Sequence, residues 1–167
     1  MARCLIVGCG RRGVELGLEL RASGHAVRGT TRDSARSAVL EDAGIEPFVG
    51  DPDRVATIAP AFAHVGVACV LLGSASGSVA QLAALHGSRL EMLLERMLDT
   101  TVRGVVYEAV GSVDEEILEA GARRVRYACE RSLIPYGLLT ASTGPGWAAE
   151  AASTVQGVLL ADVRPPC

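Results

Sequence analysis

The sequence predicts a doubly wound α/β domain, a parallel sheet of about six strands in the order 3-2-1-4-5-6 with helices on both faces. Three observations carry this. Short apolar runs alternate with segments of helical period along all 167 residues. One of them, VACVLL at 67–72, is uninterruptedly apolar, as a strand at the centre of a parallel sheet is. The first run is followed at once by Gly8, Gly10 and Gly13, which open a helix. Neither repeats nor linkers divide the chain, so 1–167 reads as one domain, with 164–167 as a frayed tail.

Taken in order, Cys4 to Val7 is the first strand, and the glycine turn leads into an amphipathic helix and a second strand, Ala26 to Thr30. Ser34 to Ala43 reads as a short helix capped by Asp33 or Ser34 and stopped by Gly44. Glu46 to Val49 is the third strand. Asp53 to Ala63 is helical but kinked or split by Pro60. The fourth strand is 67–72. Ser78 to Asp99 forms two helical pieces divided at His86-Gly87, with His86 facing solvent or the ligand. Val102 to Glu108 is the fifth strand. Asp114 caps a helix to Ser132, with Glu115 and Glu116 in its first turn, where the dipole favours them. Tyr136 to Ala141 is the sixth strand and Trp147 to Leu160 the last helix.

Composition narrows the functional classes. The chain is 49% hydrophobic, with a net charge of −3 and a mean hydropathy of +0.30, which fits a sheet covered on both faces. The charge excludes nucleic acid as an obligate partner, since phosphate-backbone binding needs a basic surface. No apolar run reaches the length of a membrane span and no charged-then-apolar leader opens the chain, so a cytoplasmic protein is expected. The five cysteines, Cys4, Cys9, Cys69, Cys129 and Cys167, follow no ligand spacing and read as reduced thiols, with neither a disulfide framework nor a metal site.

The glycines carry chemistry. Gly8 permits the turn off the strand, Gly10 lets the backbone approach a pyrophosphate, and Gly13 lets the helix pack closely on the sheet. The helix N-terminus then offers free N–H groups to the phosphates, flanked by Cys9, Arg11 and Arg12. This is a dinucleotide-binding, Rossmann-type opening. Cys9 at such a terminus is either a redox-sensitive thiol or a side chain small enough to fit. An NAD site places a carboxylate at the end of the second strand, whereas an NADP site replaces it with a cation. Here Thr30, Thr31 and Arg32 stand at that position. The hydroxyls and guanidinium suit a 2′-phosphate, so NADP(H) is favoured and NAD(H) stays open. The alternative for Arg32 is a surface pair with Asp33 or Asp51.

Four segments, the VGCGRRG turn, Arg32-Asp33, FVGDPDR and YACERSLIPYGLLTASTGPG, resemble the short-chain dehydrogenase/reductase superfamily. The similarity lies with its atypical and extended branches, related to sugar-nucleotide epimerases and to nitrogen-metabolite-repression regulators. It implies that Asp51 sits by the adenine and that Gly73 and Ser74 line the path to the nicotinamide ribose. It also implies a homodimer through Ser88–Asp99 and Asp114–Ser132. Classical members use a serine after the fifth strand and a Tyr-x-x-x-Lys pair on the next helix. One alignment puts Ala122 and Arg126 at those tyrosine and lysine positions and leaves the acid/base missing; the other offers Ser112 with Tyr127 and Arg131. Glu108 is a further candidate, as a proton carrier or substrate contact, or as a partner of Arg103 or Arg126. The expected activity is NADPH-dependent reduction of a small carbonyl, quinone or flavin-type acceptor; the alternative is a non-catalytic NADP(H) sensor or partner protein.

Overall fold

A parallel sheet needs right-handed crossovers, and each is made here by a helical segment between consecutive strands. The structure, a computed structural model, describes residues 1–161, and the tail expected at 164–167 lies outside them. Its strands are β1 (Arg3–Val7), β2 (Ala26–Thr31), β3 (Glu46–Val49), β4 (Val67–Val70), β5 (Val105–Glu108) and β6 (Tyr136–Leu139). All five pairings are parallel, in the order β3-β2-β1-β4-β5-β6. The order is the one the sequence predicts.

The connecting helices are α1 (Arg11–Ala22), α2 (Ser37–Asp42), α3 (Val55–Ile58), α4 (Val79–Ala84), α5 (Leu90–Leu98), α6 (Glu115–Arg131) and α7 (Trp147–Leu160). Asp33 caps the 3₁₀ turn Ser34–Arg36 ahead of α2 by accepting from the Ala35 amide. Pro60 does split its helix, with α3 passing into a 3₁₀ turn at Ala59–Phe62. Two expectations change. The division of 78–99 at His86-Gly87 holds, α4 and α5 meeting at a kink within Leu85–Arg89 where Gly87 leaves helical geometry, but His86 is buried there, not facing solvent. The Asp114 side chain makes no capping hydrogen bond; its carbonyl accepts from Ile117 and Leu118 instead.

Strand alternation divides the core between two faces. Leu5, Val7, Val70 and Tyr107 pack with α3, α5 and α6, whereas Cys4, Ile6, Cys69 and Val106 pack with α1, α2 and α7. Burying both faces is what leaves the carboxyl ends of the strands as the open edge of the fold.

Gly121 of α6 tests this packing. A Cβ there would collide with the Tyr107 hydroxyl, so Gly121→Ala should cost about 1–3 kcal/mol by overpacking. Gly157 of α7 has nothing near its missing Cβ, and Gly157→Ala should be neutral or stabilise by about 0.5–1 kcal/mol. Thermal unfolding followed by circular dichroism separates the two outcomes.

Candidate dinucleotide site

The glycine turn leaves β1 with Gly8 at φ +81°, where an added Cβ would lie 2.7 Å from the Leu71 carbonyl oxygen. Only glycine suits that position. The Gly8 amide donates to Thr30 Oγ1 at 3.0 Å, and the Cys9 amide to the Thr30 carbonyl at 2.9 Å. Thr30, 1% exposed, thus pins the turn to β2. Cys9 is wedged between Gly13 and Gly29, whose added Cβ atoms would lie 3.0 and 2.7 Å from its sulfur. Burial pushes its thiol up to about 12, although Arg36 nearby pulls the other way. The side chain is therefore the small packing residue of the two sequence-level alternatives, and its thiol stays protonated.

At Gly10 an added Cβ would meet nothing within 4 Å. It faces a cleft of about 1240 Å³ along the carboxyl ends of the strands. Open space over Gly10, at the first turn of a twelve-residue helix, fits a pyrophosphate.

The cleft brings together most of the expected cofactor residues. Gly8, Cys9, Gly10, Arg11, Arg12 and Gly13 line it from the turn, Thr30, Thr31 and Arg32 from the end of β2, and Asp51 and Ser74 from the turns after β3 and β4. Arg36 joins them and donates to the Cys9 carbonyl at 3.5 Å. Sequence reading missed it, although its spacing of four from Arg32 was visible. Asp33 is occupied by its cap. Among the described residues neither Asp33 nor Asp51 forms an ion pair with Arg32. Gly73 is not at the surface of the cleft: it is buried beneath it, its amide held by Glu108.

Glu108 does not stand free at the end of its strand, and its partner is neither Arg103 nor Arg126. Its side chain is 2% exposed and meets Arg12 of α1. Oε1 accepts from the Gly73 amide at 2.7 Å and from Arg12 Nη2 at 3.0 Å. Oε2 lies 2.6 Å from Arg12 Nη1, a charge contact off hydrogen-bonding alignment that leaves this buried oxygen without a hydrogen bond. The Arg12 guanidinium also lies 5.9 Å from the centre of the Trp147 ring, within cation–π range. Burial raises the Glu108 carboxyl above its ordinary value, against the lowering pull of Arg12 and the Gly73 amide.

His86 corrects a further expectation. It is 1% exposed, with Nε2 donating to the Leu72 carbonyl at 2.9 Å and Nδ1 accepting from the Tyr107 hydroxyl at 2.7 Å. Burial lowers its pKa and keeps it neutral. It braces the end of β4 from below.

Tyr127 lies outside the cleft. Leu118, Gly121, Val125 and Cys129 form the buried face of α6, and a residue two places from Val125 points about 200° around the helix. Tyr127 is accordingly 66% exposed, its hydroxyl accepting from Arg131 at 3.3 Å. Ser112 is exposed beside the β4 turn, its amide donating to Ser74 Oγ at 3.3 Å. The sequence contains no lysine, so a Tyr-x-x-x-Lys pair cannot be formed.

The sheet order, glycine turn and cleft define a Rossmann fold. No protein-family model matches the sequence, and no curated protein matches it. Solved structures do. A Bacillus halodurans protein carrying the name NAD-dependent epimerase/dehydratase superposes with a TM-score of 0.75 at 18% identity, over 95% of this chain and 88% of its own. A short-chain dehydrogenase/reductase superfamily protein from Agrobacterium tumefaciens, with bound NAD, gives 0.67 at 18% identity, over 81% of this chain and 48% of its own. Triphenylmethane reductase of Citrobacter, complexed with NADP(H), gives 0.65 at 19% identity, over 87% and 51%. The chain spans about half the length of the first of these structures. What they share with it is the fold.

Glu108 makes stability depend on pH. A carboxyl raised in the folded state binds its proton more tightly there than in the unfolded chain. Its contribution is therefore fully present below the ordinary value of 4.5 and is lost as pH rises through the raised one. Urea unfolding should show wild-type stability declining across that window by at most about 1.4 kcal/mol per pH unit, and Glu108→Gln should flatten this part of the profile.

Proposed function

We propose that the cleft binds NADP(H) and that the chain works as an NADPH-dependent reductase of a small carbonyl, quinone or flavin-type acceptor. The observation that carries the cofactor choice is the arginine pair at the end of β2. Arg32 and Arg36 both line the cleft, whereas the neighbouring Asp33, one oxygen of which caps the following turn, is not part of its lining. Two guanidiniums suit a 2′-phosphate, whereas a ribose 2′-hydroxyl would call for a carboxylate acceptor; the Thr31 hydroxyl is already engaged, donating to the Asp33 carbonyl at 3.1 Å. The NAD or NADP(H) bound by the neighbours is consistent with either form.

When bound, a nicotinamide dinucleotide would supply hydride. The chain supplies binding and shape. The amides of the first turn of α1 hold phosphate, and Ser74, with Ser112 behind it, offers a hydroxyl for orienting an acceptor. Thr143, Pro145 and Gly146 form the facing wall. With no lysine in the chain and Tyr127 on the outer face of α6, the acceptor takes its proton from water. The same two facts support the second reading, a non-catalytic NADP(H) sensor or partner protein.

Calorimetry with NADPH and NADH, followed by assay of NADPH oxidation against carbonyls, quinones and flavins, separates the readings. Turnover with any acceptor class supports the reductase, and tight NADPH binding without turnover supports the sensor. Arg32→Ala and Arg36→Ala should each weaken NADPH binding by about 1–3 kcal/mol, the worth of a charge-assisted contact, with NADH affinity unchanged. Equal losses for both cofactors would remove the pair from this role. In an active preparation Tyr127→Phe should leave the rate within about twofold, as for a surface residue; abolished turnover would restore it as the acid/base.

A further inference from the structure

Arg12 occupies an unusual place. It is the second residue of α1, so it flanks the amides that would receive a pyrophosphate, and it lines the cleft with its side chain 20% exposed. Its guanidinium is nonetheless turned away, toward Glu108. That carboxylate has one oxygen without a hydrogen bond and, among the described residues, no ion-pair partner except Arg12. From β4 it meets only the Gly73 amide, and the nearby ring of Trp147 on α7 carries no charge.

The other titratable groups nearby are already committed. Tyr107, next on β5, has its hydroxyl held by His86 and its ionisation opposed by burial and by the Glu108 charge. His86 is neutral, with both ring nitrogens engaged. Arg124 of α6, whose charge reaches Tyr107, is paired with Glu91 of α5.

We propose that Arg12 exchanges partners when a dinucleotide enters, leaving Glu108 for the pyrophosphate, and that Glu108 then takes up a proton from water. The inference rests on the cofactor reading above. A pyrophosphate presents two negative charges beside the helix terminus, and an arginine within reach binds phosphate at least as well as it binds carboxylate. Glu108, left behind without its counter-charge, keeps one amide hydrogen bond in a site closed to solvent. Buried carboxyls in that condition hold their proton to neutral pH and above. Protonation removes the uncompensated charge. The balance is simple: one proton leaves the buffer for each dinucleotide bound, and no electron moves.

The test is calorimetric titration of the whole chain with NADPH at about pH 7.5, in buffers of different ionisation enthalpy, so that the dependence of binding heat on buffer counts the protons exchanged. Titration of the 2′-phosphate itself is common to every variant and subtracts out. Wild type should take up close to one proton more than Glu108→Gln. Its Kd should rise with pH more steeply than that of Glu108→Gln, by up to about tenfold per pH unit.

Arg12→Gln provides an independent arm. Its Glu108 already lacks a counter-charge and is protonated before binding, so NADPH should bind more weakly and without the extra proton. Equal proton uptake in wild type and Glu108→Gln, or full uptake in Arg12→Gln, overturns the exchange while leaving NADPH binding, and hence the cofactor reading, intact. Absence of binding by wild type overturns both.

Discussion

The contact between Arg12 and Glu108 ties the start of α1 to the end of β5 beneath the glycine turn. Glu108 closes a strand whose preceding residues, Val105 to Tyr107, are buried, so its carboxylate emerges under the cleft floor and must find its partners there. Gly73 supplies one because its missing Cβ leaves room: an added Cβ would lie 2.6 Å from Oε1. Arg12 supplies the other, reaching from α1 past Trp147 of α7. One ion pair thus fixes the start of α1, the ends of β4 and β5, and the start of α7 against each other. A buried pair of this kind is poor value as a stabiliser, because well-packed apolar residues often serve as well or better. Its position under the glycine turn fits the exchange of partners proposed above.

The turn above it is rigid for a different reason. Gly8, Cys9, Gly13, Gly29 and Thr30 interlock, with a thiol filling the gap between two glycines and a threonine hydroxyl taking the first amide of the turn. Any larger side chain at position 9 would push α1 off the sheet, and any side chain at 13 or 29 would push against Cys9. Only Gly10 looks into open space. The turn is a packed object with one free surface, which is how backbone amides are kept pointing at a ligand without loss of order on binding.

Sheet order, glycine turn and the cationic end of β2 were legible because their signals are local: an apolar run, a three-glycine spacing, an arginine just after a strand. The partner of Glu108 was not, since it lies 96 residues away and no local pattern links the two. The burial of His86 was hidden because a kink shifts the helical register, so a polar residue beside Gly87 looks like a loop residue. Tyr127 and Arg36 were readable by counting. The stripe Leu118, Val125 and Cys129 sets the inner face of α6 and excludes position 127 from it, and Arg36 falls one helical turn beyond Arg32. The absence of lysine was also visible, and it settles the Tyr-x-x-x-Lys question more directly than any alignment.

That absence also shapes the electrostatics. Among the described residues, every cationic side chain that lines the cleft is an arginine. Burial pushes the Cys9 thiol up to about 12, so it adds no charge beside them near neutral pH. The cleft lining carries Arg11, Arg12, Arg32 and Arg36 together with the carboxylates of Glu15, Glu19, Asp51 and Asp53, and Arg11 is paired with Glu15. Against that background Glu108 is different in kind. It is the carboxyl whose ionisation the fold itself opposes, and the one whose counter-charge stands at the entrance to the phosphate turn. A change in where Arg12 points is then a change in the charge of the cleft floor, which makes the position of one guanidinium, more than any motion of the backbone, the variable through which this site can respond to what it binds.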